Sequence, residues 1–258
     1  MLLVKPIHRP EFLRANDLGV EIHIKHDDLK ENFSSYLPFV GGIHLPYSGI
    51  NLAAVDKNYR QASLEKLKNS IKSALQFHID TMVFHPCGIF SQDQQQVGEY
   101  PLLIDSLRKI ADFAAAYGIT LAMENQVLRH PDTRIIAACS SGEWFQLYHD
   151  IARKNVKLAL DTSHAASVAA HGSSLEERHR ILRGFFEHPD LIVRFHWSDA
   201  RLANNEAVYN DMHLVPGQGD LPRELHKAVL QHPAVKLLEQ NCTEQAVSDG
   251  LQFIRSLL

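Results

Sequence analysis

Asp161 and His164 stand three apart where the run Lys157-Leu-Ala-Leu-Asp161 gives out. Leu158 and Leu160 alternate as in a strand, and Ala165-Ala166 begins a helical pattern. A carboxylate and an imidazole at the end of a buried strand can hold a divalent ion or move a proton. Other apolar runs end in the same kind of residue. His44 ends Gly-Gly-Ile-His, His85 ends Met-Val-Phe-His and Glu124 ends Leu-Ala-Met-Glu. His196 ends Val-Arg-Phe-His and Glu239 ends Lys-Leu-Leu-Glu. From His44 through His85, Glu124, Asp161 and His196 to Glu239 the spacings are 41, 39, 37, 35 and 43 residues. Asp211 and His213 lie in the polar stretch after the His196 run and can fold over the same place.

Imidazole and carboxylate groups in such number suit a divalent ion, zinc first and manganese second. Such an ion polarises a carbonyl or lowers the pKa of a bound water. The nine candidates, His44, His85, Glu124, Asp161, His164, His196, Asp211, His213 and Glu239, exceed what one ion needs. Either several ions bind, or some of these groups handle substrate and protons. Each alone has a plainer reading: a hydrogen-bonded structural histidine, or for Asp161 the cap of the following helix. Chance repetition at five strand ends is a much poorer account.

The remaining candidates read as structural. His8, His26, His78, His130, His149, His171, His179, His188, His226 and His232 fall in helix or loop patterns and are expected at the surface. Cys87 and Cys242 read as small buried thiols, and Gly217-x-Gly219 as a tight turn without the third glycine of a dinucleotide fingerprint. Tyr47, Trp197 and Phe90 can wall a pocket or pack in the core.

Eight short apolar runs must position these groups: Leu2–Ile7, Val20–Ile24, Gly42–Leu45, Thr81–His85, Thr120–Glu124, Val156–Leu160, Ile192–His196 and Val235–Glu239. Amphipathic patterns lie between most of them, at Ser63–Phe77, Leu102–Tyr117, Gly142–Ile151, Leu175–Phe186 and Leu221–Leu230, and Leu251–Leu258 follows the last. Gly118 sits where a helix C-cap would. Strands alternating with helices predict βαβ units and a parallel sheet. Eight units in 258 residues predict an α/β fold, a single (β/α)8 TIM barrel, as one domain over residues 1–258. The first two units leave room for only a turn or two of helix. The stretches Pro86–Tyr100, Gln126–Cys139 and Asp199–Gly219 are long enough to build a site at the C-terminal rim.

Composition argues against several classes. At 45% hydrophobic and 22% charged the chain is ordinary globular material. A net charge of −4 gives no footprint for nucleic acid. Three cysteines without paired spacing argue against a disulfide framework, so a reducing cytoplasm is the expected compartment. No signal peptide is expected of the N-terminal Met-Leu-Leu-Val-Lys-Pro, and no apolar run approaches a membrane span.

The sequence resembles the xylose isomerase-like TIM barrels, the superfamily of sugar-phosphate isomerases and epimerases and of endonuclease IV (AP endonuclease family 2). The resemblance runs from the second strand to the eighth. It rests on His-Leu-Pro-Tyr-Ser-Gly-Ile-Asn at 44–51, Phe-His-Pro at 84–86, Glu-Asn at 124–125 and Leu-Asp-Thr-Ser-His at 160–164, then His-x-x-Asp at 196–199, Asp-x-His at 211–213 and Glu239. It implies that in the three-zinc branch all nine residues are ligands. In the isomerase and epimerase branch it implies Glu124, Asp161, His196 and Glu239 as a single-metal set, with the two glutamates moving protons. The stretch His213-Leu-Val-Pro-Gly-Gln-Gly resembles the isomerase branch, and Lys25–Tyr36 carries no arginine of a DNA-contacting loop. The expected activity is metal-dependent sugar or sugar-phosphate isomerisation or epimerisation, with Glu124, Glu239 and His164 catalytic. The alternative is a zinc-dependent phosphodiesterase acting on abasic DNA. A small sugar or sugar phosphate is the expected partner, nucleic acid less so, with oligomers allowed and no membrane.

Overall fold

The computed structural model describes residues 1–24, 33–90, 97–128, 136–204, 206–208 and 210–258. His26, His130 and most of the Lys25–Tyr36 segment lie outside them, as do 91–96 and 129–135 of two rim loops.

Eight parallel strands close into a barrel in chain order. They are β1 (Leu2–Val4), β2 (Gly19–His23), β3 (Val40–His44), β4 (Thr81–Phe84), β5 (Thr120–Glu124), β6 (Val156–Asp161), β7 (Ile192–His196) and β8 (Val235–Leu238). Closure comes from β1 pairing with β8, Leu3 opposite Leu237. All eight expected strands form, with ends shifted by up to three residues: β1 stops at Val4, and β3 begins at Val40.

Helices follow the strands: α1 (Pro10–Ala15), α2 (Lys57–Ala74), α3 (Tyr100–Ala115), α4 (Ser141–Ile151), α5 (Thr162–Ala169), α6 (Leu175–Gly184), α7 (Arg223–Gln231) and α8 (Glu244–Arg255). The short first crossover is α1, and a 3-10 turn over Ser34–Phe39 precedes β3. Local chemistry sets the starts. Asp56 accepts the N–H groups of Asn58 and Tyr59, which begins α2 six residues before the apolar periodicity does. Ser140 and Glu143 form a capping box that begins α4. Gly118, at φ +72°, turns the chain after α3.

The main core lies between the strands and the helices, where Leu67, Ile71, Leu107, Ile110, Trp144 and Leu158 are buried. Inside the barrel Val83, Ala122 and Ala159 form a separate small cluster. These stand two positions before His85, Glu124 and Asp161, so strand alternation puts them on the same inward face. The charged pair Glu21 and Arg194 is buried there too, at 0% and 2% exposure. Among the described residues no helix is long and apolar enough to cross a membrane.

Candidate metal centre

All nine residues singled out from the sequence meet at the C-terminal rim. His44, Glu124, Asp161 and His196 are the last residues of β3, β5, β6 and β7, and His85 and Glu239 follow β4 and β8 directly. His164 lies in the first turn of α5. The loop after β7 returns over the rim with Asp211 and His213. His213 is held in the left-handed region at φ +43°, and its N–H donates to Ser163 Oγ at 3.1 Å.

Glu124 stands at the middle. Its Oε2 lies 3.0 Å from both His44 Nε2 and His85 Nε2, and its Oε1 lies 3.0 Å from His196 Nδ1. His196 Nδ1 also faces Glu239 Oε2 at 2.7 Å and Asp161 Oδ2 at 3.9 Å. On the loop side, His164 Nε2 is 3.5 Å from Asp211 Oδ2, and His213 Nε2 is 2.5 Å from Asp211 Oδ1. Tyr47 stacks on His85, with centroids 4.4 Å apart. Among the described residues three groups bring their ligand atoms within 4.8 Å of one another: His44–Glu124–His196, Asp161–His164–His213 and Glu124–Asp161–His196–Glu239.

Asp161 does two things with two oxygens. Oδ1 accepts the His164 N–H at 2.8 Å and so caps α5. Oδ2 is buried without a hydrogen-bond partner. A buried anionic oxygen left unpaired inside a ring of imidazole and carboxylate donors is what a site for a divalent cation requires. The nitrogen and oxygen donor set fits an ion of the zinc or manganese kind.

Electrostatics follow from burying opposite charges together. Burial opposes ionisation of Glu124 and Glu239, yet the adjacent histidines hold both carboxyls well below the usual range. His164 and His196 are correspondingly raised well above theirs, against burial, by the surrounding carboxylates. Asp161 differs: burial pushes it up to about 6 despite His164 and His213. Burial dominates at His85 as well and lowers it.

Several expectations need correction. His8 and His226 are buried, at 3% and 1% exposure, not on the surface. His226 Nδ1 accepts the Trp197 indole N–H at 2.9 Å, and its Nε2 is 3.5 Å from Asp199. Trp197, offered as a pocket wall or a core residue, is fully buried behind the rim and takes the core alternative. Phe90 lines a separate apolar cavity of about 440 Å3. His78, His149, His171 and His188 are exposed, and His179 and His232 half-buried. Cys87 is buried, and Cys242 only half-buried.

Sequence reasoning missed four residues of the site. His23 ends β2 and stacks on His44, centroids 4.5 Å apart. Lys5 Nζ lies 3.6 Å from Glu239 Oε1. Glu21 and Arg194 lie beneath the rim, with Glu21 Oε1 3.1 Å from His196 Nε2. The available signal was an acid within the apolar run Val20-Glu-Ile-His23, two positions before a strand-end histidine.

A cavity of about 190 Å3 opens over these groups, lined by His44, His85, Glu124, His164, His213 and Glu239 among others. A second, of about 300 Å3, shares His23, His44 and Tyr47 with it and runs on to Ser48 and Lys66.

Similar proteins agree with this architecture. An uncharacterised protein of Methanocaldococcus jannaschii is 26% identical over 183 residues, 69% of this chain. The match spans 56% of that relative, so the chain covers little more than half its length. Among solved structures, a D-tagatose 3-epimerase-like protein superposes with a TM-score of 0.70 at 18% identity, over 93% of this chain and 87% of that one. The TTHB071 protein of Thermus thermophilus, soaked with ZnCl2, gives 0.68 at 19% identity, over 99% and 97%. Endonuclease IV of Thermus thermophilus gives 0.64 at 17% identity, over 100% and 97%. At these identities the likeness establishes the fold. Residues 11–257 match the family described as xylose isomerase-like TIM barrel, and the chain belongs to it.

Proposed function

We propose that the protein is a metal-dependent isomerase or epimerase of a sugar or sugar phosphate, with residues 1–258 as one domain. The observation that carries this reading is the set Glu124–Asp161–His196–Glu239, four buried side chains from four strand ends with ligand atoms within 4.8 Å. Two carboxylates in one small cavity suit proton removal on one side of a carbon and its return on the other. The chemistry a bound divalent ion supplies here is Lewis acidity toward a carbonyl oxygen, which acidifies the neighbouring C–H.

The chain's own groups do the rest. Glu124 and Glu239 are kept ionised by their histidine neighbours, so either can accept the proton. His164, held protonated by Asp161, Asp211 and Glu124, can donate to the substrate oxygen. Tyr47, stacked on His85, walls the cavity. Lys66, in the adjoining cavity, offers a cation to an anionic tail and favours phosphorylated substrates.

A second reading, zinc-dependent hydrolysis of a phosphodiester in abasic DNA, is favoured by one observation. Asp161–His164–His213 forms a further ligand group that a single ion does not need. Metal content per chain separates the two, together with solvent-deuterium uptake into ketoses and ketose phosphates and cleavage of an abasic-site duplex. One tight ion with deuterium uptake and no cleavage is expected. Three tight ions with cleavage overturn the isomerase reading. Glu239→Gln is expected to abolish deuterium uptake and to leave the melting curve largely unchanged. Normal turnover by that variant would remove Glu239 from the mechanism.

A further inference from the structure

Below the rim the barrel holds a carboxylate that the proposed chemistry does not use. Glu21 lies on β2, two positions before His23, and is fully buried. The neighbouring strand makes room for it. Gly42 is its register partner on β3. A Cβ at Gly42 would stand 2.7 Å from Glu21 Oε2 and 3.0 Å from its Cγ. The space for Glu21 therefore exists because residue 42 has no side chain. A carboxylate buried this way is costly unless it is paired.

Its neighbours show what it is paired with. His196 Nε2 is 3.1 Å from Oε1, Arg194 Nε is 3.8 Å from Oε2, and His23 Nε2 is 3.8 Å from Oε1. His196 approaches obliquely, so Oε1 has no well-aligned hydrogen bond, but no other donor in this set is as near. Arg194 is itself tied to the Gly41 carbonyl at 3.3 and 3.4 Å.

His196 differs from three other imidazoles of the centre. His44, His164 and His213 place Nδ1 against the main-chain carbonyls of Leu45, Asn125 and Glu239, at 2.7, 2.7 and 3.0 Å. A carbonyl only accepts, so each Nδ1 carries the hydrogen and each Nε2 faces the site. His196 is turned round. Its Nδ1 faces Glu124 and Glu239, and its far nitrogen meets Glu21 where the others meet a carbonyl.

We propose that Glu21 is the positioning residue of His196. Its carboxylate takes the Nε2 hydrogen, which leaves the Nδ1 lone pair aimed at the centre formed with Glu124, Asp161 and Glu239. Arg194 balances the buried charge, and Gly42 keeps the space open. The inference rests on reading His196 as a metal ligand. A carboxylate behind a ligating imidazole fixes its tautomer and raises its basicity.

The test compares wild type, Glu21→Gln and Gly42→Ala. Zinc affinity is measured by competition with a chromophoric chelator. Imidazole 15N NMR of wild type and Glu21→Gln, each without zinc and with it, reports which His196 nitrogen carries hydrogen. The expected result is a protonated Nε2 in wild type and zinc binding weaker by about 10- to 100-fold in Glu21→Gln. Gly42→Ala is expected to weaken binding in the same direction, because its Cβ displaces the carboxylate. A purely structural role for Glu21 would leave the His196 tautomer unaffected. Wild-type affinity in a folded Glu21→Gln, or a bare Nε2 in wild type, overturns the proposal. If Glu21→Gln does not fold, Gly42→Ala decides, and wild-type zinc affinity in that variant overturns the proposal. Failure of the wild type to bind zinc removes the metal centre and this inference together, whereas normal wild-type binding with an unaffected variant removes only the inference.

Discussion

A single carboxylate can serve the backbone and the site at once, and Asp161 does both. Its Oδ1 caps α5, and its Oδ2 is left for the centre. The two roles can be separated. Asn keeps an oxygen for the His164 N–H and loses the charge. Because burial pushes the Asp161 carboxyl up to about 6, its ionisation costs the metal-free protein stability at neutral pH. Asp161→Asn is therefore expected to leave the metal-free protein at least as stable as wild type at pH 7, while zinc affinity falls by more than about tenfold. Asp161→Ala also loses the cap, a further cost of about 1 kcal/mol. Urea unfolding in chelator and a zinc competition assay measure the two effects separately. Wild-type zinc binding by Asp161→Asn would take Asp161 out of the ligand set.

The loop after β7 is the element that brings Asp211 and His213 to the rim, and Asp199 holds it. Asp199 Oδ2 accepts the N–H groups of Gly217 and Gly219, and Oδ1 those of Ala200 and Leu221. The tight turn at Gly217, φ +92°, thus wraps a buried carboxylate. Burial works against ionisation of Asp199, but His226 and these N–H groups outweigh it and hold its pKa below the usual value. The sign follows: a carboxyl lowered in the folded state adds stability above its unfolded pKa and loses that contribution as pH falls through the folded one. Asp199→Asn is expected to cost about 1–3 kcal/mol at pH 7. The gap to wild type should shrink as the solution is acidified below the ordinary carboxylate range. Urea titrations of both proteins across that range check it, and a gap independent of pH would mean that the Asp199 charge is not what holds the loop.

For the whole molecule, the centre ties together distant parts of the chain. The nine residues come from the C-terminal ends of six strands, in or directly after them, and from two following segments, and β1 and β8, from opposite ends, are paired beside Glu239. An ion that binds only this assembled arrangement stabilises the native state by about 2.7 kcal/mol at a hundredfold excess over Kd. For a chain of this size that amounts to a rise in Tm of roughly 5–10 °C. Differential scanning calorimetry with added zinc or manganese, against chelator-treated protein, measures it. No shift with either ion would contradict the metal centre.

Nine of the groups at the rim were legible in the sequence, although His23 and Lys5 were not. Strand alternation sets the face of a residue two positions from another, and eight apolar runs separated by crossovers admit a parallel barrel. His44, His85, Glu124, Asp161, His196 and Glu239 end consecutive runs, so their convergence was legible before any coordinate. So was the capping choice at Asp161, though only as an alternative to metal binding. What depends on closure of the barrel was not legible. Whether Glu21 faces a neighbour's side chain or a glycine depends on the β2–β3 register, which the one-dimensional pattern does not contain. His226 is buried because α7 packs it against Trp197 and Asp199, although its helical pattern alone suits the surface. Which nitrogen of each histidine faces the centre depends on the carbonyl or carboxylate behind it, and only the closed barrel brings those partners within hydrogen-bonding distance.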